Sequence, residues 1–170
     1  MIEDNKCEYR TGIGTDIHKL TADRKLVLGG VAVPYPAGLL GHSDGDVALH
    51  AIIDALLGAA GMGDIGTLFP DTDPQLKDVD SNQLLANVKQ RLEEKKWEVV
   101  NVDLIIHAEQ PRLDQFKGQM KRRIAELLGI DFTSANVKAK TNEGLGEVGS
   151  SEAIAATATA LLRKKQRRML

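Results

Sequence analysis

The chain has one cysteine, Cys7, among 170 residues. No disulfide can form within it, and a thiolate zinc site would need ligands the chain lacks. There is no excess of either charge: 22 basic and 24 acidic residues leave a net charge of −2. A generic nucleic-acid binder would be basic, so that class is set aside, and the RKKQRR run beginning at Arg163 reads as a solvated basic tail over about 163–170. No segment approaches the roughly 18 apolar residues of a membrane span. The opening residues, MIEDNKCEYR, carry no apolar signal core, which makes a reducing cytoplasm the expected location. Internal repeats and low-complexity tracts are absent as well. What is present is 42% apolar residues, enough for a proper core in one domain spanning 1–170.

The apolar pattern predicts a first strand from Tyr9 to His18 and a hairpin from Leu26 to Val33 turning at Gly29–Gly30. Ser43 with Asp46 three residues on suggests a capping box, so an apolar helix is expected to start near Asp44 and run to about Ala59. Further helices are expected over Ser81–Lys95 and Asp114–Leu128, strands over Glu98–Ala108 and Ala135–Lys140, and a closing Ala/Thr-rich helix over Ser151–Arg163. This order implies an α/β (α+β) sandwich, a mixed β-sheet covered on one face by helices. Its other face would be bare, which points to an oligomer.

The most informative stretch is 41–74, GHSDGDVALHAIIDALLGAAGMGDIGTLFPDTDP. Its helix bears one polar stripe, Asp46, His50 and Asp54, at a spacing that puts all three on one face. On the first strand, Asp16 and His18 are two apart and emerge together. Two imidazoles and a carboxylate with an open fourth position is the pattern of a catalytic zinc site. Asp46 and Asp54 flank His50 and are expected to orient it. On spacing alone the alternative stays open: Asp16 and His18 as loop residues, His50 as a hydrogen-bonded core histidine.

GIGTDIHKL, the 41–74 stretch and NVKAKTNEGLG together resemble the 2-C-methyl-D-erythritol 2,4-cyclodiphosphate synthases of the non-mevalonate isoprenoid pathway, over about Tyr9 to Leu162. The resemblance implies a homotrimer with active sites between neighbouring subunits. It implies conversion of a small CDP-linked polyol phosphate, 4-diphosphocytidyl-2-C-methyl-D-erythritol 2-phosphate, into the cyclic diphosphate with release of CMP. No nucleic acid and no membrane take part. By position, Asp16, His18 and His50 match the ligands of one zinc ion per subunit. Glu143 matches the carboxylate that holds a second divalent ion, magnesium or manganese. His42 and Ser43 match residues that contact the substrate phosphates. Asp64, Ile65, Gly66, Phe69 and Asp73 match segments that hold the sugar and polyol. Ala108, Pro111 and Leu113 in the 108–114 segment, with Lys140, Thr141, Asn142 and Glu143, match the neighbouring subunit's cytidine wall, and Thr141 matches a transition-state stabiliser. Asp16 and His18 also meet the substrate in this scheme, and His42, Thr141 and Glu143 form its catalytic set. Two departures stand out. Lys140 and Asn142 flank Thr141 where many relatives have threonines. Glu147 and Ser150 stand where many have Phe and Arg near the trimer's channel. An inactive nucleotide- or metal-binding trimer, and a zinc hydrolase, remain competing classes.

Overall fold

The computed structural model describes residues 7–70, 72–76 and 78–164. Strand β1 (Tyr9–Ala22) is longer than the sequence pattern suggests. After it come the hairpin β2 (Leu26–Leu28) and β3 (Val31–Val33), turning at Gly29–Gly30 as expected, then a short β4 (Ala37–Leu39). Helix α1 (Val47–Ala60) follows, then one turn of helix, α2 (Ile65–Leu68), and α3 (Ser81–Glu94). Strand β5 (Trp97–His107), α4 (Lys117–Leu128), β6 (Ala135–Lys140), a single turn α5 (Gly146–Gly149) and β7 (Ala153–Lys164) complete the chain. The main sheet has the order β4-β1-β7-β5-β6, with only β5 and β6 parallel. It is therefore a mixed sheet, flanked by helices.

The expected closing helix is instead β7, the central strand of that sheet. Alanine's helix propensity is a weak prior, and the competing period-2 signal wins here. Ile154, Ala156, Ala158, Ala160 and Leu162 point into the core, whereas Thr157, Thr159 and Leu161 alternate with them. The small inward residues have a purpose. Helix α1 lies directly on β1 and β7, and the small side chains of Ala156, Ala158 and Ala160 let it approach closely. On β1 the limit is stricter: a Cβ at Gly12 would lie 2.0 Å from the Ala55 carbonyl oxygen, and one at Gly14 would lie 2.1 Å from that of Ala51.

Helix α1 also starts later than expected. Its cap is Asp46, not Ser43, and the Asp46 side chain accepts from the Ala48 and Leu49 N–H groups. The helix is buried on all sides at its start, with every residue from Val47 to Ile53 buried, His50 included. The sheet's opposite face is another matter. Ile13 and Ile17 on β1 are 67% and 56% exposed there. The basic tail from residue 165 lies outside the described residues, as does Asp71.

Candidate metal centre and cleft

The close seating of α1 on β1 brings His50 against the strand end. Asp16 and His18 follow Gly12 and Gly14 on the same, helix-facing side of β1. Asp16 Oδ2 lies 2.9 Å from His18 Nε2 and 2.9 Å from His50 Nδ1. The two ring nitrogens are 3.2 Å apart. The three donor atoms thus form a near-regular triangle. In tetrahedral zinc coordination, bonds of about 2.0–2.1 Å place donors roughly 3.3 Å apart. The donor set, one carboxylate and two imidazoles, therefore fits a zinc-like cation in both chemistry and spacing.

The electrostatics agree. Burial alone would raise the Asp16 carboxyl, but hydrogen bonds with His18 and His50 outweigh it and hold the group far below the usual carboxylate range. The hydrogen bond with Asp16 raises His18 against the opposing effect of burial. The centre favours positive charge.

The rest of the wall is held by backbone-directed bonds. The His18 Nδ1–H donates to the Leu40 carbonyl at 2.6 Å, which leaves Nε2 to face the triangle. Arg24, which the sequence pattern does not single out, clamps the 41–43 loop through the carbonyls of Ser43 (2.6 Å) and Gly41 (3.3 Å). His50 Nε2 sits 3.1 Å from Ser43 Oγ and 3.0 Å from Ser81 Oγ. The expected orienting carboxylates are thus not the partners of its ring. Asp46 points to the other side of the helix start. There it accepts four backbone N–H groups, those of Ala48, Leu49, Gly29 and Gly30, tying the β2–β3 turn to α1. Burial pushes its carboxyl up to about 6, against the pull of those donors. Asp54 accepts from the Ile65 N–H at 2.7 Å and so anchors α2; burial raises it too.

A cavity of about 310 Å³ opens over the triangle. Among its lining residues are His42, Ser43, Ile65, Gly66 and Phe69, so most of the expected phosphate- and polyol-binding residues do converge. His42 Nε2 is buried there without a hydrogen-bond partner, an orphaned polar atom suited to an incoming anion. Asp64 is exposed and caps α2 through the Thr67 N–H. The Asp73 N–H donates to the Pro70 carbonyl in the turn that follows.

The cytidine-wall residues lie elsewhere. Ala108, Pro111, Leu113, Lys140 and Thr141 line a small separate groove of about 50 Å³ where β5 and β6 end. Thr141 Oγ1 donates to Glu143 at 3.0 Å, and the Asn142 N–H donates to Glu109. Glu143 is exposed and takes a positive φ of 51°. Glu147 and Ser150, at α5, are also exposed. Asp16 and Ala139 lie in one row across the sheet through Ala156 and Ile106. Three inter-strand steps place the two half-sites roughly 14 Å apart in one chain.

A mixed sheet whose helix-covered face holds a His₂–Asp triangle under a cleft defines an α/β protein with a candidate metal site. Residues 9–163 match the YgbB family, and the chain belongs to that family. The 2-C-methyl-D-erythritol 2,4-cyclodiphosphate synthase of Chlorobaculum parvum is 53% identical over 156 residues, covering 92% of this chain and 99% of that one. The protein of the same name from Listeria monocytogenes is 54% identical over 155 residues, covering 91% and 99%. Among solved structures, the bifunctional IspDF of Campylobacter jejuni superposes with a TM-score of 0.91 at 41% identity, over 95% of this chain and 44% of that longer one. IspF of Plasmodium falciparum, solved as a CDP complex, gives 0.81 at 36% identity, over 93% and 97%.

Proposed function

We infer that the chain is a cyclodiphosphate synthase of the isoprenoid pathway: it cyclises 4-diphosphocytidyl-2-C-methyl-D-erythritol 2-phosphate and releases CMP. The observation that carries this reading is the Asp16–His18–His50 triangle beneath the cleft lined by His42 and Ser43, in a chain half identical to curated synthases over nearly its whole length. Asp16, His18 and His50 would hold zinc and Glu143 a magnesium or manganese ion, and these cations supply charge neutralisation to the phosphates.

The bond changes need little from the protein covalently. The substrate's 2-phosphate oxygen attacks the β-phosphorus, the bond from that phosphorus to the bridging oxygen breaks, and CMP departs with the electron pair. No side-chain nucleophile is required, and Cys7, next to the start of β1, is not placed to offer one. Phosphoryl transfer depends on positioning and on electrostatic stabilisation. His42, with its unpartnered Nε2, and Ser43 receive phosphate oxygens. Ile65, Gly66 and Phe69 wall the polyol. Thr141 and Lys140 meet the nucleotide side. Folding the substrate into an eight-membered ring is an orientation problem, in which well-placed groups contribute on the order of 7–11 kcal/mol.

The nucleotide half-site is roughly three strand spacings from the triangle within one chain, so the complete site takes Lys140, Thr141, Asn142 and Glu143 from a neighbouring copy. A homotrimer accomplishes this, and the bare sheet face with exposed Ile13 and Ile17 supplies its apolar contact. The enzyme works in the cytoplasm in this reading; no helix among the described residues is long and apolar enough to cross a membrane. Phosphorus NMR of the zinc- and magnesium-loaded protein with its substrate tests the reaction. CMP and the cyclic diphosphate should appear in equal amounts; an untouched substrate would contradict the assignment.

A further inference from the structure

We propose that Ser81 and Asp44 are positioning residues for the metal centre, acting through His50. This rests on the metal reading above, and it takes the place of the role first expected of Asp46 and Asp54.

Donors and acceptors around the His50 ring decide its tautomer. His50 Nδ1 belongs to the triangle, at 2.9 Å from Asp16 Oδ2. To offer a cation its lone pair there, the ring must carry its proton on Nε2. Nε2 has two neighbours, both hydroxyls, and a hydroxyl can donate or accept. Ser81 resolves the choice. Its Oγ lies 2.5 Å from Asp44 Oδ1, and a carboxylate can only accept. Ser81's single proton therefore goes to Asp44, and only its lone pairs are left for His50 at 3.0 Å. The His50 Nε2–H must donate to it. The relay Asp44–Ser81–His50 thus holds the tautomer that turns Nδ1 toward the metal. His18 is set in the mirror sense by the Leu40 carbonyl, which also accepts only. One ligand is fixed by main chain, the other by a serine with a carboxylate behind it.

The relay is itself rigid. Ser81 is fully buried at the first position of α3, and its backbone N–H donates to the other oxygen of the same carboxylate at 3.1 Å. Asp44 is further held by the Asp46 N–H on Oδ1 (3.2 Å), and its own N–H donates to the Val79 carbonyl (3.1 Å). Ser43 cannot substitute for Ser81. Its Oγ accepts from the Gly45 N–H at 3.2 Å but has no carboxylate to take its proton, so it is free to turn that proton toward Nε2 and impose the opposite tautomer.

Partners one bond removed from a metal are commonly worth about 10- to 100-fold in affinity. Zinc affinity, measured by competition with a chromophoric chelator, should fall by that order in Ser81→Ala and in Asp44→Asn, and Ser81→Thr should recover part of it. Asp44→Asn is the sharper probe, because the Asp44 carboxylate bonds to neither ligand ring and Asp44 is not itself among the residues that line the cavity. Two spectroscopic readings separate the relay from mere folding. In the zinc-loaded wild type, the His50 Nε2–H should give a downfield, slowly exchanging proton signal that is lost or shifted in both variants. The visible bands of the cobalt-substituted protein should change as well. Zinc affinity within twofold of wild type, with an unchanged Nε2–H signal in Asp44→Asn, overturns the proposal. If Ser81→Ala does not fold, Asp44→Asn alone decides. A wild type that takes up no zinc overturns the metal reading itself, an outcome distinct from variants that bind as well as wild type does.

Discussion

Gly14→Ala tests the claim that close packing of α1 on β1 sets the metal triangle. The added Cβ would meet the Ala51 carbonyl oxygen at 2.1 Å, the Ala55 nitrogen at 2.6 Å and Asp54 Cβ at 2.7 Å. Two of these are main-chain atoms of α1, so no rotamer change relieves the clash. Non-bonded atoms are comfortable at about 3.5 Å, so helix and strand must separate by more than roughly 1 Å. Overpacking of this kind costs about 1–3 kcal/mol. The consequence for the centre is larger. Gly14 is two residues from Asp16 on the same face of the strand, and Ala51 follows His50 directly. A 1 Å separation takes Asp16 Oδ2 and His50 Nδ1 from 2.9 Å to about 3.9 Å, well past the roughly 3.3 Å between donors in tetrahedral zinc coordination. Turnover should fall on the order of 100-fold, as for other ångström-scale misplacements. Thermal unfolding, zinc affinity and turnover should be measured on the same preparation. Gly118→Ala is the control: a Cβ there meets nothing within 4 Å, and the protein should gain up to about 1 kcal/mol. A Gly14→Ala protein that is destabilised yet keeps wild-type zinc affinity and turnover would refute the reasoning.

Glu143→Gln should leave zinc bound and raise the magnesium concentration needed for half-maximal rate by roughly tenfold or more, because a hard cation loses a charged ligand; an unchanged magnesium titration would contradict the role. Asp46 supplies a pH test. Its folded pKa of about 6 lies above the ordinary 3.8, so its contribution is fully present below pH 3.8 and is lost as pH rises through 6. The loss amounts to about 3 kcal/mol, from roughly 1.4 kcal/mol per pKa unit. The unfolding free energy of wild type minus that of Asp46→Asn should fall by that order between pH 4 and pH 7, and a flat or rising difference would show that its four backbone donors outweigh burial.

Where the sequence was legible, one physical signal acted alone. Leu84, Leu85, Val88 and Leu92 form a single apolar stripe on α3, and Gly29–Gly30 supplies the positive φ, 60° and 73°, that a tight hairpin turn needs. The convergence of Asp16, His18 and His50 follows from period-2 and helical spacing together with the family motifs. The misread elements carry conflicting signals. In β7, Ala-rich composition favours helix while Ala/Thr alternation favours strand, and the deciding factor is the helix packed above it, which lies far away in sequence. The cap of α1 was misassigned because Ser43 and Asp46 both suit a helix start, and only the distant Gly29 and Gly30 N–H groups explain why Asp46 is buried there. Ser81 and Arg24 stand outside every motif. Their roles arise from long-range approach of α3 and the 23–25 turn to the 41–44 loop, which local spacing cannot reveal.

In the proposed enzyme, one active site joins the triangle of one chain to the Thr141–Glu143 loop of its neighbour. Mixing two inactive variants tests it directly. His50→Ala lacks a ligand on the metal side, and Glu143→Ala lacks the carboxylate on the nucleotide side. Each should be nearly inactive as a pure protein. Co-refolded in equal amounts they form mixed rings, in which about a quarter of the interfaces pair two intact halves. About that fraction of wild-type CMP release should be recovered, together with a trimer by light scattering. No recovery in demonstrably mixed oligomers, or full wild-type activity in a monomer, would contradict it.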